Sequence, residues 1–435
     1  MQIDRRGFLQ GGVASTLGVL ASPRPGRADV FRVGVGRDTS GYAAARRAIE
    51  ASGDWPPADL TGRRVLVKPN LVAALPAASG ATTDPEVVRA VVDLALEGNA
   101  REVVIVESGP NGANFSACGY DFFGSYDPQG RVRLLDLRPE PVTLAPLGGG
   151  LAYSAVYMPD VMLDPAAVLV SVGKLKTHIE ALAGLSMKNL FGLPAVDRYV
   201  SVPSAGRFAM HDRGVNQTIV DLNRLRPAAY SVIDGIWGME GVGPIFGTPV
   251  ATNTVLAGRN AVAVDRAGLT TMEIPQPSVR HLAYATRFGL GPGDMSQITL
   301  TGDILETHPF VLPPISPVLE YPRVSPATIS PSSGQSASIL LWYADTVVRT
   351  LDVLRLSEEI PDFQAVRTLV PYGLRAAGFE VSTWDGRGDD GIIVPPGRYA
   401  VHVRAYNPRA RVRHADAVGW VTVSSRLTGA SEERT

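Results

Sequence analysis

Between Ser171 and Gly192 the chain reads SVGKLKTHIEALAGLSMKNLFG, which holds three lysines, a histidine and an asparagine that could act together on one small molecule. Lys174, Lys176 and His178 fall at alternate positions, so an extended chain puts all three on one face, with Leu175 and Thr177 on the other. Lys188 and Asn189 follow in a segment where Leu182, Leu185, Met187, Leu190 and Phe191 recur at helical spacing. Lysine is a compact, rotatable charge that can hold a carboxylate or phosphate oxygen, and burial can bring its amine toward neutral pH. Imidazole can pass a proton in the same range.

The choice of lysine is itself a signal. Of the 41 lysines and arginines only four are lysines, namely Lys68, Lys174, Lys176 and Lys188. This chain writes an ordinary surface cation as arginine, yet all three basic residues of the stretch are lysine. Random choice would give that on the order of one time in a thousand, and lysine does chemistry that the permanently charged guanidinium cannot. The stretch is therefore read as a site rather than a basic turn before a core helix. Lys188, His178 and His211 are the candidate proton-transfer groups, although His211 could equally cap a helix or pair with Asp212. Lys68, Asn70, Ser108, Lys174, Lys176 and Asn189 are candidate ligand-binding residues. Glu107, Asp234 and Glu240 join them as orienting partners or metal ligands.

The elements that must position these residues alternate between short apolar runs and helical segments from Phe31 to about Asp303. That alternation predicts an α/β domain with a mainly parallel sheet and flanking helices. Strands are expected at 31–35, 64–67, 102–106, 131–137, 166–172, 230–233, 250–257 and 298–301, and helices at 43–51, 85–97, 215–225, 260–272 and 279–288. Residues 139–150 read as a Pro- and Gly-rich connection. Lys68 with Asn70, Glu107 with Ser108, the Lys174–His178 run and Asp234 all lie just past the carboxyl ends of expected strands. Parallel sheets gather those ends at one edge, where ligands bind.

Several classes are disfavoured. Neither GxxxxGK[ST] nor a strand-linked GxGxxG occurs, and Val33-Gly34-Val35-Gly36 lacks the third glycine and its acidic follow-up. A formal charge of −1 gives no support for a nucleic-acid partner. Cys118 is the only cysteine, so the chain cannot by itself form an internal disulfide, hold an iron–sulfur cluster or build a thiolate zinc site.

Residues 1–28 resemble a twin-arginine export signal: Asp4-Arg5-Arg6-Gly7-Phe8-Leu9-Gln10 precedes a moderately apolar run, Gly11 to Ala21, too short to span a bilayer stably. An exported, extracytoplasmic protein that crosses the membrane folded is the expectation. The α/β domain is assigned to 29–306, a Pro-rich linker to 307–326, an all-β domain to 327–425 and a disordered tail to 426–435. In the β domain, Asp385, Asp389 and Asp390 of WDGRGDDG lack EF-hand spacing and are read as turn residues.

The segments LVKPNLV (66–72), TTDPEVVRAVVDL (82–94), VGKLKTH (172–178), SMKNLFG (186–192), SVIDGIWGMEGVGP (231–244) and LAGRNAVAVD (256–265) resemble the family of unknown function numbered 362. The resemblance runs from about Val65 to Asp303 and implies an α/β domain without an agreed activity. Some members carry ferredoxin-type cluster modules, but this chain has no cysteine motif for one. The strand-end lysines and histidine are also distantly similar to those of nickel-pincer racemases, in which a lysine tethers the cofactor. WDGRGDDG with VPPGRYAVHVRA (394–405) resembles the flagellar hook-capping type of immunoglobulin-like module, which implies a C-terminal sandwich. The expected function is binding of an anionic small molecule or cofactor at the Lys/His cluster, with enzymatic activity left open. A redox accessory receiving a metal or iron–sulfur cluster from a partner chain, and a non-catalytic assembly protein docking through the β domain, stand as alternatives.

Overall fold

The computed structural model describes residues 31–109, 112–199, 208–313, 319, 322–355, 364–408 and 410–425. The twin-arginine stretch, the C-terminal tail and parts of the Pro-rich linker lie outside the described residues. The chain begins there with β1 (Phe31–Arg37) and α1 (Gly41–Ser52), followed by β2 (Arg64–Pro69), α2 (Pro85–Glu97), β3 (Glu102–Glu107) and β4 (Val132–Asp136). A two-stranded hairpin, β5 (Val142–Pro146) with β6 (Ala155–Pro159), and the single turn α3 (Asp160–Leu163) lead to β7 (Val168–His178). Then come β8 (Leu182–Gly184), α4 (Ser186–Asn189), α5 (Phe208–Asp212), α6 (Val215–Leu225), β9 (Tyr230–Glu240), β10 (Thr248–Gly258), α7 (Ala261–Thr271), α8 (Arg280–Arg287) and β11 (Ile298–Gly302).

One sheet organises this body, in the order β11-β1-β10-β9-β7-β2-β3-β4, with β8 paired to β7. β2, β3, β4, β7 and β9 run parallel to their neighbours in that group, and β1 runs parallel to β11. β10 is antiparallel to both β9 and β1, because the short connection after Glu240 can only fold the chain back beside itself. Both faces are buried. Val65, Val67, Val103, Ile105, Val168 and Val170 meet α1 and α2, while Leu66, Val104 and Leu169 meet α6, α7 and α8 on the other side. The strands therefore read as continuous apolar runs.

Local chemistry sets the helix ends. Asp84 caps α2 by accepting the Glu86 amide at 2.8 Å, with Pro85 in the first turn, as the sequence predicts. Val33-Gly34-Val35-Gly36 has a packing role: a Cβ on Gly34 would stand 1.9 Å from the Ala48 carbonyl, and one on Gly36 2.0 Å from that of Ala44. These glycines let α1 lie directly on β1.

Two expectations are corrected. The connection at 139–150 contains a strand, β5, whose partner β6 lies beyond it. The helix expected from Leu182 is a tight return strand, β8, followed by one turn, α4, and a 3-10 turn at Leu190–Gly192. Leu182 takes a left-handed φ of 66°, which breaks any helix there.

Beyond the α/β body, two further sheets are ordered β12 (Arg323–Ser325), β14 (Ala337–Tyr343), β17 (Gly378–Trp384), and β13 (Thr328–Ile329), β19 (Ala410–Val423), β18 (Gly397–Asn407), β15 (Val347–Arg355), β16 (Gln364–Arg375). Their inward residues, among them Ile339, Leu341, Trp384, Val401, Val403 and Val421, form one core. Carboxylates of the WDGRGDDG loop accept backbone amides, Asp385 from Arg387 at 3.1 Å and Asp390 from Ile392 at 2.9 Å, which is turn chemistry. No helix among the described residues is long and apolar enough to cross a membrane.

Candidate functional site

The carboxyl ends of β2, β3 and β7 open onto a cavity of about 570 Å³. Lys68, Asn70, Glu107, Ser108, Lys176, His178, Lys188, Asn189 and His211 all line it. Nine of the twelve candidate residues are thus brought together from five separate segments.

The floor is a chain of buried polar pairs. Lys68 Nζ donates to Glu107 Oε2 at 2.7 Å, and the Glu107 carboxylate also takes the amides of Leu71 (2.8 Å) and Ser108 (2.7 Å). Gly192 sits over this pair, where a Cβ would come within 2.9 Å of Lys68 Cε. Asn189 donates to the Lys68 carbonyl at 2.8 Å and to Ser171 Oγ at 3.0 Å, and accepts from Asn70 Nδ2 at 3.2 Å. Asn70 Oδ1 in turn accepts from Lys176 Nζ at 2.7 Å. Lys176 donates also to the Ala81 carbonyl at 2.6 Å and lies 3.3 Å from the Pro244 carbonyl. Burial, then the charges of Lys174, Lys188 and Lys68, push the Lys176 amine well below its ordinary pKa, and Glu107 opposes them.

The wall is built by the β7–β8 hairpin. His178 Nδ1 accepts two amides of its own turn, from Glu180 at 3.1 Å and Ala181 at 3.2 Å. Two donors at one ring nitrogen assign that atom a lone pair and place the proton on Nε2. Burial, then Lys188 and His211, hold this imidazole neutral, far below its usual pKa. His178 is therefore a hydrogen-bond donor through Nε2. Its accepting nitrogen is engaged by the backbone, and ligation of a metal through Nε2 would set Nδ1–H against two other N–H groups. His211 behaves differently: its Nδ1 meets the Glu180 carboxylate, its ring stacks on His178 at 5.7 Å between centroids, and Phe191 meets it edge-on at 4.7 Å. Lys188 Nζ lies 3.7 Å from the centre of the Phe191 ring, a cation–π contact that favours the ammonium.

Two loops complete the enclosure. Leu71 to Ala74 are held by Asn114, whose side chain donates to the Leu71 carbonyl at 3.0 Å, and by the buried Cys118 thiol at 3.4 Å from the Ala73 carbonyl. Val242 to Phe246 form the opposite lip, tied down by the Ile179 amide donating to the Gly243 carbonyl at 3.1 Å and Thr177 Oγ1 donating to that of Gly241 at 3.0 Å. Phe246 is 82% exposed.

Three candidates lie elsewhere. Lys174 and Asp234 form an ion pair at 2.7 Å with no solvent access on either side chain, and Asp234 also takes the Asp84 amide at 2.7 Å and that of Ile236 at 2.9 Å. The alternation of β7 puts Lys174 toward the same face as Lys176, yet β9 bulges between its partners Asp234 and Met239, and Asp234 closes over the lysine. Glu240 accepts the Val311 amide at 2.7 Å and straps residues 308–312 to the body instead of facing the cavity. Glu180, Phe191, Gly192, Asn114 and the Val242–Phe246 lip were missing from the sequence-level site. Glu180 had a signal, its place two residues after His178; the lip lay within the GMEGVGP motif without a charge to mark it.

The fold and site define an α/β protein with a lysine-lined cavity at the carboxyl edge of a parallel sheet. Residues 65–270 match the family described as Domain of unknown function (DUF362), and every residue lining the cavity falls inside that stretch. A homologue, the Thylakoid-associated protein sll1697 of Synechocystis sp. (strain ATCC 27184 / PCC 6803 / Kazusa), is 27% identical over 255 residues, covering 58% of this chain and 75% of that protein. Among solved structures, PorZ of the Porphyromonas gingivalis type-IX secretion system aligns at a TM-score of 0.16 and 16% identity over 24% of this chain and 11% of its own. The Pseudomonas fluorescens alkylpurine DNA glycosylase AlkC bound to DNA aligns at 0.18 and 14% over 38% and 45%. The chain spans less than half of either structure.

Proposed function

We propose that the α/β body binds a small anionic molecule in the cavity beside Lys176 and Lys188, with His178 donating through Nε2–H and His211, oriented by Glu180, as the proton-transfer group. One observation carries this reading: three of the chain's four lysines, Lys68, Lys176 and Lys188, line one cavity, with Glu107 held on Lys68. Among the described residues Lys176 has only neutral oxygens as hydrogen-bond partners, and Glu180 meets His211. An incoming carboxylate or phosphate would accept N–H groups of Lys176 and Lys188 in a largely desolvated space, where such contacts are strong. The volume suits a small metabolite, and Leu71, Ile179, Leu185 and Phe191 give it an apolar wall.

The test is thermal unfolding with inorganic phosphate, pyruvate and citrate. An anion at a hundred times its Kd should stabilise the fold by about 2.7 kcal/mol. Lys188→Gln should weaken that anion about ten- to a hundredfold, the value of a lost charge-assisted contact. A flat response to all three anions, or an unaltered response in Lys188→Gln, would remove the reading.

Export by the twin-arginine route belongs to the same proposal, supported by Asp4 to Gln10 and the apolar run after it. Arg5→Lys combined with Arg6→Lys should hold a folded precursor in the cytoplasm, and normal export of that variant would exclude the route. An immunoglobulin-like identity for the C-terminal β region is likewise proposed, on the WDGRGDDG and PPGRYAV segments.

A further inference from the structure

We infer that the ligand of this cavity is an amphipathic anion, with its charged head against the buried lysines and an apolar chain or ring lying along the mouth. This rests on the anion-binding reading for the head, and adds the class of molecule that carries it. The cavity lining changes character with depth. Lys68, Glu107, Ser108, Lys176, His178 and Asn189 line it and are each at most 5% exposed, with Lys188 and His211 half-buried beside them. Its two lips are Leu71-Val72-Ala73-Ala74 and Val242-Gly243-Pro244-Ile245-Phe246, and neither carries a polar or charged side chain. Val72, Ala73 and Ile245 are half-buried, whereas Val242 and Phe246 are exposed.

Both lips are held in place. A Cβ on Gly243 would stand 2.0 Å from the Thr177 carbonyl, so that lip lies directly on β7. The Phe246 amide donates to the Val242 carbonyl at 3.2 Å and closes the lip on itself, while Asn114 and Cys118 fix the facing loop. Single exposed apolar residues are ordinary on a protein surface. Two facing apolar loops at the entrance of a lysine-lined cavity are more than a bare ion requires: an ion of phosphate size would occupy the polar end alone and leave both lips in water. The volume of about 570 Å³ falls within the roughly 300–1,000 Å³ of sites that enclose a whole organic molecule. An apolar tail on the anion would fill the remainder and take Val242, Ile245 and Phe246 out of water, which strengthens binding about fourfold for each methylene fully buried.

Calorimetric titration of the full chain with acetate and hexanoate, and with phosphate and hexyl phosphate, tests this. Whichever head group the site accepts, the six-carbon form is expected to bind at least about tenfold tighter than its short parent. Val242→Ser combined with Phe246→Ser should cut that gain to less than about threefold and leave the affinity for the short anion as it is. These side chains are 38% and 82% exposed, so the double variant loses little core packing. Lys188→Gln should weaken short and long anions alike. Equal affinity for short and long forms, or a gain that persists in the double serine variant, would overturn the inference and leave the anion-binding reading standing. Binding of hexan-1-ol as tight as that of hexanoate would uphold the apolar mouth and count against that reading, and no binding of any of the four anions would remove both.

Discussion

At the scale of single residues, position in the fold divides four identical side chains into different roles. Lys174 is a structural cation. Its ammonium and the Asp234 carboxylate are both fully buried, and the carboxylate fixes the start of α2 through the Asp84 amide. Removing one member of such a pair leaves a buried charge uncompensated, which costs about 3–5 kcal/mol, whereas a partly exposed cation is worth far less. Lys174→Met should accordingly lower stability by about that amount in denaturant unfolding, and Lys188→Gln by under about 1 kcal/mol. Equal effects would mean that Lys174 shares the functional position of Lys188. Lys176 lies between these cases, buried like Lys174 and on the cavity like Lys188.

At the scale of elements, the short helix α4 cannot hold itself in place, since one turn leaves its first amides unpaired. A residue 79 positions away in the sequence supplies the cap: Asp265 on α7 accepts the Ser186 amide at 2.8 Å and that of Met187 at 3.1 Å. Burial without a counter-ion pushes the Asp265 carboxyl up to about 7, with the two amides opposing the rise. Asp221 caps Leu151 to Tyr153 in the same way, and burial takes it to about 6. The linkage has a definite sign. Folding raises the proton affinity of Asp265, so its contribution is largest near pH 4 and is lost as pH climbs toward 7, by several kcal/mol at most. Asp265→Asn removes the titration and one of the two amide contacts. The stability gap between the parent and this variant should therefore shrink from pH 4.5 to about 7 and level off above it; a gap that widens would show that the amides outweigh burial. Because α4 carries Lys188 and Asn189, this cap is what aims them.

At the scale of the molecule, the α/β body does not end where the proline-rich composition begins. His308 and Phe310 donate their amides to the Thr271 and Met272 carbonyls, Gly241 donates to the Val311 carbonyl, and the Phe310 ring lies in the core. The β region touches the body through the Trp420 indole, which donates to the Leu151 carbonyl at 2.8 Å. A chain stopping near Leu305 would lose the Phe310 packing, a loss of about 3–5 kcal/mol by analogy with core truncations of aromatic residues. A chain stopping after Pro313 should unfold in one cooperative transition, while the Leu305 version should melt at clearly lower temperature. If both are insoluble, the contact made by Trp420 belongs to a single folding unit and the domains do not separate.

How much of this was legible in the sequence follows from the range of the forces involved. Buried parallel strands advertise themselves as apolar runs, and the Asp84-Pro85 start of α2 is a local hydrogen bond, so both could be read from neighbouring residues. The lysine bias pointed to the cavity because a compact amine is chosen for chemistry that a guanidinium cannot do. The sequence by itself therefore determined the α/β body, its strands and the segments that furnish the site. It could not divide the lysines, since Lys174, Lys176 and Lys188 differ only in what reaches them from 60, 106 and 3 residues away: a carboxylate, an amide oxygen and an aromatic face. Nor could it see that His178 spends its accepting nitrogen on its own hairpin, which depends on a left-handed Leu182 that propensity disfavours. Those choices belong to the tertiary structure, because desolvation and partner geometry, not residue type, decide whether a buried amine or imidazole carries a proton.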